Sequence, residues 1–132
     1  MGYLEEPLRI YTDALASGAA TPGGGSAAAL VGSLGAALNS MVVNFTVGRE
    51  KFAAVEADAQ RLLAKSEELR AALERLTQED TEAYGGYSAA SKMPRETDEQ
   101  KAARTAAVQK ALKAAAQVPR EAAQAAMDVI AV

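Results

Sequence analysis

The sequence has no cysteine and no histidine. The first absence excludes disulfides and thiolate metal sites, and it leaves the redox compartment uninformative. The second removes the usual general base, the usual zinc ligand and the serine triad. Any proton transfer therefore falls to Asp, Glu, Lys, Tyr or water. Aromatic residues make up only 5% of the chain. Hydrophobic residues reach 49%, but alanine supplies much of that, so large core side chains are few. A lone subunit of 132 residues with so thin a core is expected to bury surface against a partner chain. Excess positive charge is missing as well. The net charge is −3 and the pI about 5.0, which gives no support to nucleic-acid binding through bulk charge. The N-terminus, MGYLEEPLRI, is acidic and has no signal-peptide pattern, and Gly2 lacks the Ser or Thr spacing of a myristoylation site. The expected location is the cytoplasm.

What is present is organised around one stretch, TPGGGSAAALVGSLGAALNSMVVNFTVG, from Thr21 to Gly48. It carries no charge, whereas charge is dense on both sides. Thr21 suits a helix N-cap and Pro22 the first helical position. Gly32 and Gly35 each cost a helix about 1 kcal/mol relative to Ala, a cost that close packing offsets. The stretch is read as a central helix buried all round, with other backbones against its faces of Ala28, Gly32 and Ala36 and of Ala29, Ser33 and Ala37. Its length would also span a membrane. Its richness in Gly, Ala, Ser and Asn, and the lack of flanking Trp or of a one-sided basic cluster, favour a buried soluble helix with no membrane partner. Gly23, Gly24 and Gly25 have two readings, tight packing at a helix start or a site for an anion or polar ligand on free N–H groups. The loop fits neither a Walker motif nor a dinucleotide fingerprint.

The remaining chain reads as helices. Leu4, Leu8, Tyr11 and Leu15 recur at helical steps over Glu5 to Ser17. Arg49 and Lys51 follow the central helix, either to meet its negative dipole end or to bind an acidic ligand. Ala53 to about Lys92 is a long helix with Val55, Leu62, Leu69, Leu73 and Leu76 on one face and alternating charges on the other. Asp80 lies near that apolar stripe and shares a face with Tyr84. An acid desolvated in this way becomes a useful acid or base near neutral pH, while the plainer reading is a surface carboxylate paired with a cation. Pro94 breaks the pattern, and Thr97 with Gln100 makes a capping box for a helix from Asp98 to about Gln117. Val118-Pro119 interrupts, and a last helix passes through Ala123, Met127 and Ile130. The chain ends uncapped on Val129-Ile130-Ala131-Val132. No strand pattern appears. The expected fold is all-α, one domain over 1–132, a bundle of about five helices around the central one.

Thr-Pro-Gly-Gly-Gly-Ser-Ala-Ala-Ala at 21 to 29, Met41-Val42, Asn44, Thr46-Val47-Gly48, Asp80 with Ala83-Tyr84, Pro94 before a basic residue, and Val118-Pro119 stand together in one order. In this the chain resembles the cyclodeaminase/cyclohydrolase family, which includes the C-terminal domain of formiminotransferase-cyclodeaminase and stand-alone methenyltetrahydrofolate cyclohydrolases. The resemblance implies an all-α homodimer acting on one-carbon forms of tetrahydrofolate, with the folate as substrate and no metal or other cofactor. It implies that Gly23, Gly24, Gly25 and Ser26 line the folate pocket, that Asp80 is the proton donor and acceptor, and that Tyr84 flanks it. Arg95 falls where the family often has Lys in a Leu-Pro-Lys stretch. Arginine keeps the charge there but does not titrate. The family domain is longer, so the chain reads as truncated at its C-terminus relative to the family. The alternative on the same scaffold is a non-catalytic helical module for folate binding or assembly.

Overall fold

The computed structural model describes residues 2–132. Among them are four α-helices and no strand: α1 (Leu8–Ala16), α2 (Gly24–Asn44), α3 (Glu56–Ser91) and α4 (Asp98–Ala131), with short 3-10 turns at Tyr3–Glu5 and Glu50–Val55. α3 and α4 form a long antiparallel pair, and α2 lies along both. α3 has 36 residues, so it runs for about 54 Å at the usual helical rise.

The core is where the three long helices meet: Ala29 and Ala36 from α2, Leu69, Leu73 and Leu76 from α3, and Ala122, Ala125 and Val129 from α4. The expected stripe on α3 is right at Leu69, Leu73 and Leu76, whereas Val55 and Leu62 are exposed. The expected face of the last helix is wrong. Met127 and Ile130 point outward, and Ala122, Ala125 and Val129 are the buried set. Small residues bring the helices close. A Cβ added at Gly32 would lie 3.1 Å from Leu73 Cδ2, tighter than ordinary contact.

Four further expectations are corrected. α2 begins at Gly24 rather than at Pro22, because its first turn takes its cap from across the fold and not from Thr21. It ends at Asn44, and the chain turns through Gly48, whose φ of +73° suits glycine. α4 continues through Pro119, so the bundle has four α-helices rather than about five. A proline inside a helix costs about 3 kcal/mol. Exposed Pro119 is carried by buried Ala122, Ala125 and Val129 just beyond it and half-buried Val118 just before it. Finally, α2 is not buried all round. Ser26, Ala29, Ser33, Ala36 and Ser40 are buried, while Val31, Leu34, Leu38, Met41, Val42 and Phe45 are 48–68% exposed. α3 and α4 cover two sides of α2, and nothing in the described chain covers the third.

The capping box on α4 is present. Thr97 Oγ1 accepts from the Gln100 N–H at 3.2 Å, and Gln100 Oε1 accepts from the Thr97 N–H at 3.2 Å. The outer face of α3 carries the expected ion pairs, among them Arg70 with Glu67 and Glu74, and Arg75 with Glu79.

Candidate functional site

The first turn of α2 meets α3 at Asp80. The Ser26 N–H donates to Asp80 Oδ2 at 2.9 Å. The N-cap of α2 is Gly23, which has no side chain to offer. Asp80 therefore does across the fold what a local Asp or Ser cap does, satisfying one of the free N–H donors of the helix start. A carboxylate at that place gains about 0.3–1 kcal/mol from the helix dipole as well.

Glycine is required for the approach. A Cβ at Gly25 would lie 2.7 Å from Asp80 Cγ and closer still to Oδ1, and one at Gly23 would lie 4.0 Å from Oδ2. The two carboxylate oxygens are thereby made different. Oδ2 is tied to Ser26, whereas Oδ1 has no hydrogen-bond partner among the described residues and occupies the place that a side chain at Gly25 would take. Asp80 is half-buried. The arrangement offers one anchored oxygen and one oxygen without a hydrogen-bond partner among the described residues.

Ser26 is fastened on its other side too. Its residue is fully buried, its Oγ donates to the Thr77 carbonyl at 2.8 Å, and the Tyr11 hydroxyl lies 3.0 Å from the same Oγ. Tyr84 stands one turn beyond Asp80 on α3, 41% exposed, with its ring 6.0 Å from that of Tyr87. Gly85 and Gly86 follow it with open space around them.

The structure thus brings Gly23, Gly25, Ser26 and Asp80 together, with Gly24 in the same turn and Tyr84 adjacent along the helix. It does not bring Arg95. That residue is exposed in the loop after α3, and α3 continues for about 16 Å past Asp80 before it ends. Arg49 and Lys51 are also distant, since Ser26 and Asn44 are about 27 Å apart along α2. Arg49 lines a groove of about 560 Å³ with Ser40, Asn44, Phe45, Glu67 and Arg70. There Arg70, and then Ser40, hydrogen-bond Glu67 and hold its carboxyl down to about 2. Arg70 is raised in turn by Glu67 and Glu74. Lys51 Nζ lies 5.3 Å from the Phe52 ring. A second groove, of about 580 Å³, is lined by Leu4, Glu5, Glu74, Gln78 and Glu79 among others and by none of the glycine-loop residues.

Sequence reasoning missed Tyr11 and Thr77 as members of the site. One signal for Tyr11 was available. A tyrosine on an apolar stripe needs a partner for its hydroxyl when it is buried, and Tyr11 is 3% exposed. Thr77 contributes a main-chain carbonyl, which side-chain patterns do not reveal.

Comparison with known proteins gives a consistent picture. Residues 7–132 match the family described as formiminotransferase-cyclodeaminase. The chain is 50% identical over 114 residues to a methenyltetrahydrofolate cyclohydrolase of Methylorubrum extorquens, a match that spans 86% of this chain and 55% of that one. It is 40% identical over 116 residues to a formimidoyltransferase-cyclodeaminase of Sus scrofa, across 88% of this chain and 21% of the other. The crystal structure of a formiminotetrahydrofolate cyclodeaminase from Thermotoga maritima superposes with a TM-score of 0.76 at 31% identity, over 92% of this chain and 57% of that one. The chain thus spans little more than half the length of the cyclohydrolase it matches.

Proposed function

Since the chain belongs to the formiminotransferase-cyclodeaminase family, we propose that it is a tetrahydrofolate one-carbon enzyme in which Asp80 moves the proton. Two reactions fit. In the cyclohydrolase reaction, water adds to the amidinium carbon of methenyltetrahydrofolate. Asp80 Oδ1 takes a proton from that water and returns it to the ring nitrogen as the carbon–nitrogen bond breaks, which leaves a formyl group on the other nitrogen. One proton is released overall. In the cyclodeaminase reaction, the formimino group closes onto the second nitrogen and ammonia leaves after protonation. The 50% identity to a cyclohydrolase favours the first.

The observation that carries the reading is the divided carboxylate. Oδ2 is held by the Ser26 N–H, and Oδ1, without a hydrogen-bond partner among the described residues, is packed on Gly25 in the place a Cβ would take. One positioned carboxylate that both takes and gives a proton suffices for either reaction, and it compensates for a sequence without histidine. The substrate is already a cation with its own electrophilic carbon. The pocket is left with orientation and the exclusion of competing water. Gly23, Gly24, Gly25, Ser26 and Tyr84 would line it, and Arg95 would reach the folate only from another part of the assembly.

We further propose that the enzyme works as a soluble, cytoplasmic homodimer. α2 is long and apolar enough to cross a membrane, with a mean hydropathy of 1.6, but two of its sides are packed on α3 and α4. On the third side Val31, Leu34, Leu38, Met41 and Phe45 recur at alternating steps of three and four residues. That is the spacing of a helix that packs on another helix.

The test offers purified protein each substrate in turn. The reading expects loss of methenyltetrahydrofolate absorbance well above the buffer rate and little ammonia from formimidoyltetrahydrofolate. Ammonia release alone would select the cyclodeaminase. Failure of both at high protein concentration would leave a folate-binding or assembly module.

A further inference from the structure

Three elements that are distant in sequence converge on Ser26. Its N–H holds Asp80 Oδ2, its Oγ donates to the Thr77 carbonyl, and the Tyr11 hydroxyl from α1 lies 3.0 Å from that Oγ. A serine hydroxyl has one proton. Because Ser26 gives it to Thr77, the Tyr11 hydroxyl is the donor in the remaining bond and Ser26 Oγ the acceptor. Every polar group of the residue that faces α1 or α3 is then engaged. The tyrosine is itself held in place. Its ring packs edge-on against Tyr3 at 5.1 Å and 86°, and the Tyr3 N–H donates to Gln78 Oε1 at 3.3 Å, next to Thr77 on α3. The large apolar residues of α1 other than Tyr11, namely Leu8, Ile10 and Leu15, are exposed, so Tyr11 is the buried anchor of that helix.

We propose that Tyr11 is a positioning residue for Asp80. It rotates the glycine turn into register through Ser26, and the turn in turn aims the free carboxylate oxygen. The inference rests on the role given to Asp80 above, but its geometric part can be read without turnover. A small residue at 26 and glycine at 25 let α2 approach α3, and they leave the turn free to shift unless something pins it. Tyr11 adds a tie from outside both helices to the bonds that Ser26 makes with Thr77 and Asp80. The Tyr11 hydroxyl is bonded to Ser26 Oγ and not to Asp80, so it acts through Ser26.

The test is a cycle of Tyr11→Phe, Ser26→Ala and the double variant in the full 132-residue protein. Two readouts are followed, the amide proton shift of residue 26 with the side-chain carboxyl carbon shift of Asp80, and the kinetics on methenyltetrahydrofolate. Tyr11→Phe keeps the ring and removes only the donor. It should move both resonances and lower kcat about fivefold, the size expected from one ordinary net hydrogen bond, with KM within about twofold. The double variant should be no worse than Ser26→Ala alone, because both single changes remove the same bond. Unmoved resonances and an unchanged kcat in Tyr11→Phe, with thermal stability lowered, would overturn the proposal and leave Tyr11 as packing. Moved resonances in a protein that lacks activity even as wild type would keep the positioning and instead refute the enzymatic reading.

Discussion

The two sides of α2 invert the usual order. The side that faces α3 and α4 carries Ser26, Ala29, Ser33, Ala36 and Ser40, all small and all buried. The side that faces away carries Val31, Leu34, Leu38, Met41, Val42 and Phe45, all large and all 48–68% exposed. A helix that served only the core of its own chain would place its large residues inward. The inner side of α2 is built instead for close approach, which brings its first turn onto Asp80. The outer side holds the apolar area that a second copy would cover. One helix thus carries the candidate site on one side and the proposed dimer surface on the other.

The largest effect is expected at the site end of α2. Gly25→Ala inserts a methyl group 2.7 Å from Asp80 Cγ and forces the carboxylate off the Ser26 N–H. A displacement of about 1 Å costs on the order of a hundredfold in rate. The helix itself gains about 1 kcal/mol from the exchange of glycine for alanine. Steady-state kinetics beside thermal denaturation should therefore show a large loss of turnover with little loss of stability.

The next effect separates the two sides directly. Gly32→Val on the inner side pushes against both Leu73 methyl groups, which lie 3.1 and 3.2 Å from an added Cβ. Overpacking of this kind costs about 1–3 kcal/mol, to be read from a denaturant midpoint. Leu38→Asp on the outer side should leave the fold of the subunit intact and split the proposed dimer, as followed by light scattering across a concentration series. Equal behaviour of the two variants in both assays would remove the distinction between the sides.

The smallest expected effect is at the far end of α2. Glu67 is held down to about 2 by hydrogen bonds from Arg70 and Ser40. A depressed carboxyl contributes stability above its unfolded value of 4.5, and that contribution is lost as the pH falls toward 2. Both partners are partly exposed, so solvent weakens the pair. Unfolding curves should show no contribution from this group to any change between pH 5 and 8, and Glu67→Gln should flatten the acid limb only slightly.

The helical class, the uncharged α2, the core stripe Leu69–Leu73–Leu76 and the capping box at Thr97 were legible in the sequence, because each follows from spacing within one segment. What was not legible depends on contacts between segments. Asp80 caps α2 from a distance of more than fifty residues along the chain, so Thr21 and Pro22 looked like the start of the helix. Pro119 reads as a break until the packing on either side of it is known. The uncovered side of α2 has the same apolar composition as a buried one, and periodicity alone does not tell what covers it. The meeting of Asp80 with the glycine loop came from resemblance to a family, and the geometry supplies its physical reason in the single N–H of Ser26.

The Asp80 carboxylate, held on the first turn of α2, is proposed to carry the proton. The most direct measurement is the rate at which methenyltetrahydrofolate absorbance falls with wild-type protein and with Asp80→Asn, at equal concentration and with the fold of both confirmed by circular dichroism. The account predicts hydrolysis above the buffer rate for the wild type and loss of at least about a hundredfold in the variant, the scale of general acid–base catalysis. A folded Asp80→Asn protein that hydrolyses the substrate as fast as wild type would contradict it.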